Sequence, residues 1–280
     1  MTPHGSTNVL ALRARARRTA PAVDLKGAGT IFWKELLEWF RTRRFLVTTV
    51  VATLIMVVIP VGVWIVDHDG LTQGRATLTG IEAADVRGGI ATLLSLSTYL
   101  GILVTMGMLV KERETGTAQW VFTKPVSRSG YGLAKWAANS IGVVLATVLV
   151  PAVIAEGLIA ALYDVPDWSW MDQIFGLGLI AIHVPIVVAL MLLLGTLFRS
   201  TIPLVATALG LSVAPAVVAP IIGSGFLRML PVFGLRDLMA DVANGQSIAA
   251  ADFMPLIAGL IFLPICLGIA GRRLEREQLQ

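Results

Sequence analysis

Lys111–Lys135 reads KERETGTAQWVFTKPVSRSGYGLAK, a long charged segment set between two apolar runs. Its first half predicts a short amphipathic helix. Glu112, Arg113 and Glu114 supply a charged first turn, and Trp120, Val121 and Phe122 an apolar end. Lys124-Pro125 stops it, because the residue before a proline is pushed out of the α region. Ser127, Arg128, Ser129 and Gly130 read as a turn, and Tyr131 begins the approach to the next apolar run. A short helix held at a membrane surface, with spans rising from both its ends, is suited to transmitting motion.

The flanking runs set this segment in a membrane protein. Of 280 residues, 56% are hydrophobic and 14% charged. Several uninterrupted apolar runs exceed the roughly 18 residues that signal a transmembrane helix, which excludes a soluble domain with one core. The single cysteine, Cys266, lies inside an apolar run. It excludes a disulfide framework within the chain and any multi-cysteine metal site.

Residues 1–29 are polar and basic, with Arg13, Arg15, Arg17 and Arg18 close together. They lack an apolar stripe wide enough to fold alone and read as a flexible tail. The charge reads as a topogenic signal beside anionic lipid, with a nucleic-acid arm or a transit peptide as the other readings. In residues 30–44, Ile31, Phe32, Trp33, Leu36, Leu37, Trp39 and Phe40 form one broad arc and Lys34, Glu35, Glu38 and Arg41 the other. This pattern predicts an interfacial helix with its tryptophans at the membrane boundary.

The expected fold is an all-α integral membrane protein with six transmembrane helices, over residues 45–66, 88–110, 136–163, 173–198, 202–222 and 253–270. Arg199-Ser200-Thr201 is a tight connection, so the fourth and fifth spans are antiparallel neighbours. Pro203, Pro215 and Pro220 interrupt the fifth, where neighbouring helices can satisfy the freed carbonyls. Residues 223–252 are too long for a hairpin and predict short helices at the outer face. Within them Leu235–Ala243 is helical and Asn244-Gly245 ends it. Residues 271–280 form a charged tail. With the N-terminus inside, 18 of the 22 Lys and Arg fall in inner segments, and Arg75, Arg87, Arg228 and Arg236 in outer ones. That asymmetry predicts both termini in the cytoplasm.

Two ionisable residues fall inside spans, Glu156 in the third and His183 in the fourth. Buried charge is costly, so both are candidates for a substrate path; hydrogen-bonded helix packing is the other reading. His4 and His68 lie in polar segments and read as solvated. No HExxH, Ser-His-Asp set or cysteine pair supports hydrolysis or a metal site. No GxxxxGK[ST] loop is present to cradle a triphosphate.

The order of elements resembles the permease subunits of bacterial ABC-2 type (type V) ABC transporters, from about Thr30 to the end. The most specific piece is Arg113-Glu114-x-Gly116-Thr117 followed by Thr123-Lys124-Pro125-Val126-Ser127-Arg128. It is similar to the family's E-x-G-T … P-x-S-R loop. The tract from Leu230-Pro231 to Gly245 is similar too, and less distinctive. The resemblance implies an exporter subunit in the bacterial cytoplasmic membrane, paired with a second copy. Each copy docks on a cytoplasmic ATPase that binds ATP and Mg, so this chain holds no cofactor and is no enzyme itself. The helix at 112–122 is then the coupling helix. Glu112, Arg113 and Glu114 are its candidate ion-pair partners for the ATPase, and Trp120 and Phe122 its apolar anchors. The nearly uncharged spans suit a hydrophobic or amphipathic substrate. Two other readings stand beside this one. One is an ion-coupled carrier, against which no internal repeat is evident. The other is a membrane enzyme using Glu156 and His183.

Overall fold

A computed structural model describes residues 25–67, 76–77, 96–164, 169–222, 230–243 and 248–276. The basic tail through residue 24, the start of the second expected span, Asn244-Gly245 and the last four residues lie outside these. The described residues are helical apart from turns and one two-residue parallel pair, β1 (Ala76–Thr77) with β2 (Tyr163–Asp164). Among the described residues, four helices are long and apolar enough to cross a membrane: Arg43–Gly62, Arg128–Leu162, Trp170–Leu197 and Ala250–Arg276. They cover the first, third, fourth and sixth expected spans, so the chain is a multi-pass membrane protein.

The interfacial helix α1 runs Ala28–Arg41. Gly27 enters it with φ 74°, a left-handed conformation that glycine adopts without strain. Thr42 leaves it in extended conformation. Its hydroxyl donates to the Glu38 carbonyl at 2.8 Å and accepts from the Arg44 amide at 3.4 Å. One side chain thus closes α1 and opens α2 (Arg43–Asp67). On α2, Thr48, Ala52, Met56 and Pro60 are buried one turn apart, while Leu46, Val50, Leu54 and Val58 are exposed. This stripe, with the small Thr48 and Ala52 in it, is the face the helix turns to its neighbours.

Residues 96–105 are helical and 106–109 form turns. The second span was expected to continue to Val110; instead the chain turns before it. The segment expected as one helix over 112–122 is two, α3 (Val110–Glu114) and α4 (Thr117–Val121). Gly116 between them has φ 72°, the left-handed stop common after a helix end. The four residues read as a turn are instead a helix start. Ser127 is the N-cap, accepting from the Gly130 amide at 3.2 Å. Serine serves turns and caps alike, and here α5 runs from Arg128 to Leu162, beginning before the expected span. A π turn at Leu145–Leu149 interrupts it, with the Val150 amide bonding to the Leu145 carbonyl. Pro151 follows directly and has no amide hydrogen to continue the regular ladder.

Helix α6 (Trp170–Leu197) is the hub. It packs on α5, α7 (Thr201–Ile222), α8 (Pro231–Ala243) and α9 (Met254–Arg276). Two thirds of its apolar window is buried, against about a quarter for α2 and α9. Helix α8 lays Leu235, Leu238, Met239 and Val242 into the core. Residues 271–276, expected in a charged tail, continue α9. Leu274 is buried there, and Arg273 and Arg276 in the last turn suit the helix C-terminus.

A buried ion network beneath a surface segment: the candidate functional site

At the basic end of the bundle, three elements converge on one lysine. Lys135, in the second turn of α5, is 2% exposed. Its Nζ lies 3.0 Å from Glu35 Oε1 on α1 and donates to Glu112 Oε1 on α3 at 2.8 Å. The Tyr131 hydroxyl, one turn earlier, also donates to Glu112. Two carboxylates and one ammonium held this far from water are stable only if paired and hydrogen-bonded, and here they are.

A second set of contacts extends the network along α1. Trp39 is 1% exposed. Its Nε1–H donates to Asn139 Oδ1 at 3.2 Å, and Asn139 Nδ2 donates to the Lys135 carbonyl at 2.8 Å. The Arg44 guanidinium lies 4.3 Å from the Trp39 ring centroid and donates to the Val104 carbonyl of the helix at 96–105. Trp39 fits because Gly142 of α5 has no side chain; a Cβ there would stand 2.4 Å from the indole. The two tryptophans expected together at the boundary therefore part. Trp39 faces the protein and Trp33 stays 60% exposed. The helical wheel explains why. At about 100° per residue, Glu35 falls between Ile31 and Trp39, and that is the face that docks on α5. Trp33, Leu37 and Phe40 remain outward.

The surface segment is bolted from below at several points. Arg113 Nη1 donates to the Gly195 carbonyl near the end of α6 at 2.6 Å. The Phe122 ring meets Tyr131 edge-on at 5.1 Å, and the Arg128 guanidinium lies over Phe122 at 4.3 Å. Arg128 also donates to the Leu274 carbonyl of α9 at 3.4 Å. Behind the segment, the Ser127 amide donates to the Lys26 carbonyl at 3.0 Å, tying it to the start of α1. Of the residues singled out in sequence, Glu112, Arg113 and Phe122 thus engage the chain itself. Glu114 is exposed, and Trp120 is 65% exposed with Lys124 Nζ 5.1 Å from its ring. The Thr117 hydroxyl is 2.9 Å from that of Thr115.

Gly116 has open space around a notional Cβ, so only its backbone resists substitution. Gly116→Ala is expected to cost about 1 kcal/mol, the strain of a left-handed L-residue. Amide exchange across 115–120 should then speed up roughly fivefold with the helix at 128–162 unchanged. Unchanged exchange would mean that the α3–α4 break does not depend on this conformation.

Glu156 and His183 are both buried. His183 Nε2 is 3.0 Å from Thr98 Oγ1, joining α6 to the helix at 96–105. Among the described residues, no three His, Cys, Asp or Glu side chains stand close enough to hold a metal ion. Sequence reasoning missed Lys135, Glu35, Tyr131 and Asn139. Two signals pointed to them: Glu35, grouped with the polar arc of α1, falls between Ile31 and Trp39 on the wheel, and Lys135 stands in the first turns of an apolar run.

Over residues 29–279 the chain matches the family model described as ABC-2 family transporter protein. No curated protein matches it.

Proposed function

Because the chain belongs to the ABC-2 transporter family, and so is a membrane permease that works with an ABC ATPase subunit, we propose that residues 110–127 are the part the ATPase grips. The observation that supports this reading is the division of labour within that segment. Its inward side chains lock it to α1, α5 and α6, while Glu114 and Trp120 stand free of the bundle. A segment that is held firmly below and offers an aromatic and a carboxylate above can receive a push and pass it on.

The proposed complex is a pair of six-span permeases with two ATPase subunits. The helix at 96–105 and α7 serve as second and fifth spans, and both termini lie in the cytoplasm. The ATPase binds ATP and Mg and performs the hydrolysis. Its closure displaces α3 and α4. Glu112 moves Lys135, and Lys135 moves Glu35, so that α1 and α5 shift together and the permease halves open outward. The substrate is hydrophobic or amphipathic, since the spans carry few ionisable groups; Glu156 and His183 are candidates to line the path.

The test is co-purification of the chain from its native membrane in mild detergent, with an ATPase assay on what comes with it. A P-loop protein in about equal amount is expected. In that complex Glu114→Lys with Trp120→Ala should lower ATPase activity roughly tenfold, the scale of an aromatic anchor in an interface. Normal activity and normal complex yield in the double variant would remove the segment from the interface.

A further inference from the structure

Helix α5 is one helix in length and two in packing. Its first half, Arg128–Val144, packs on α1, α6 and α9, and its second half, Val150–Leu162, packs on α2. The π turn at Leu145–Leu149 is where the partners change, and it touches both α2 and α6. Burial along the helix shows what the turn does. Buried pairs recur every fourth residue at Ala134-Lys135, Ala138-Asn139 and Gly142-Val143, and again at Pro151-Ala152 and Ala155-Glu156. Gly142 to Pro151 is nine positions, two steps of four and one more. The extra position falls in Ala146-Thr147-Val148, all three buried. A bond from i to i+5 takes in one residue more than a bond from i to i+4. The π turn therefore absorbs one residue, and so keeps a single buried seam along both halves.

The same turn is the weak point of the backbone ladder. The Val150 amide reaches back to the Leu145 carbonyl. Pro151 has no amide to offer the Thr147 carbonyl. The Thr147 hydroxyl donates to the Val143 carbonyl at 2.9 Å, a back-bond that bends helices. π turns and prolines are the usual places where a long helix changes direction. We propose that the π turn with Pro151 is a hinge, on which the second half of α5 swings together with α2 against a body made of α1, the first half of α5, α6 and α9. Helix α2 has a joint of its own, since Thr42 in extended conformation separates it from α1. Tyr131 and Lys135, which hold Glu112 of the surface segment, lie on the body side of the hinge. A push on that body then opens an angle at 145–151 instead of sliding all of α5. This deepens the transport reading and rests on it for its purpose, but the swing itself needs no ATPase.

Distances between spin labels test this in the full-length chain carrying Cys266→Ala. One pair, Val153→Cys with Ile174→Cys, joins exposed positions on the second half of α5 and on α6, across the hinge. The control pair, Val153→Cys with Val58→Cys, joins the same half to an exposed position on α2, on one side of it. Labelled chain is diluted with unlabelled chain in nanodiscs without ATPase, and distances are read by electron paramagnetic resonance. The first pair should give a broad distribution and the control a narrow one. Deletion of Thr147 removes the extra residue and leaves both halves facing as before. It should narrow the first pair to the width of the control. The hinge is overturned if the first pair is already narrow without the deletion, if the control is equally broad, or if the deletion leaves the first pair broad. Should the deletion variant fail to fold, Pro151→Ala decides: it restores the missing amide and should narrow the first pair, and an unchanged width overturns the proposal. Failure of an ATPase to co-purify would sink the transport reading and leave these distances as they are.

Discussion

Lys135→Met is expected to lower the unfolding temperature of the purified chain more than any other single change proposed for it. The side chain is almost wholly removed from solvent and stands between Glu35 and Glu112, at 3.0 and 2.8 Å. Methionine matches its length and leaves two carboxylates facing one another, with the exposed Lys34 ammonium, 3.7 Å from Glu35, as the remaining ion-pair partner. Breaking a buried pair by removing one partner costs about 3–5 kcal/mol, whereas replacing all partners with neutral groups is often close to neutral. The triple variant Glu35→Gln, Glu112→Gln, Lys135→Met should therefore regain most of the lost stability. Its ATPase coupling should remain low, because the charged linkage between segment and helices is gone. Thermal unfolding followed by tryptophan fluorescence reads the first effect and nucleotide hydrolysis by the complex the second. An unfolding temperature for Lys135→Met equal to wild type would mean that the three charges do not share one buried site. Full coupling in the triple variant would mean that the network is structural and transmits nothing.

Gly142→Ala is expected to have the next largest effect. A methyl there would meet three indole atoms of Trp39 at 2.4 to 2.7 Å, and the contact is ring against backbone-borne carbon, with no flexible end to yield. Trp39 must leave its place, giving up its bond to Asn139 and the Arg44 guanidinium above its ring. Overpacking of this kind costs about 1–3 kcal/mol, and it falls on the contact that joins α1 to α5. Trp39→Ala alone is also destabilising, through the cavity it leaves. The two changes share one space, so the double variant should be less destabilised than the sum of the singles, a coupling measurable in a double-mutant cycle. Additive effects would show that Gly142 and Trp39 do not meet. Loss of α1 docking without loss of stability would be seen as faster proteolysis at Gly27–Thr42, and would place α1 outside the cooperative unit.

Much of this architecture is legible in the chain because each part is local. A run of apolar residues reports its own length, which is why α2, α5, α6 and α9 fall on expected spans. The boundaries were less legible. Ser127 can open a turn or cap a helix, and its bonds to Gly130 and Lys26 select the second. Gly116 can sit inside a short helix or stop it, and its positive φ stops it. At the surface segment, sequence shows a charged stretch between apolar runs but not which of its side chains face inward. Glu112 and Phe122 look as available as Glu114 and Trp120 until the partners Lys135, Tyr131 and Arg128 are in place.

Membership of the ABC-2 family, and with it the multi-pass membrane architecture, is readable from the chain alone. Membrane insertion is decided segment by segment, from apolar length and flanking charge, and both are written along the chain. That Lys135 joins α1, α3 and α5 at the basic end emerges from packing instead. Trp39 and Asn139 are 100 residues apart, and Glu35 and Lys135 are equally distant in sequence. No periodicity links such pairs. What joins them is the cost of leaving a buried charge unpaired, which becomes payable only when α1, α3 and α5 have packed together.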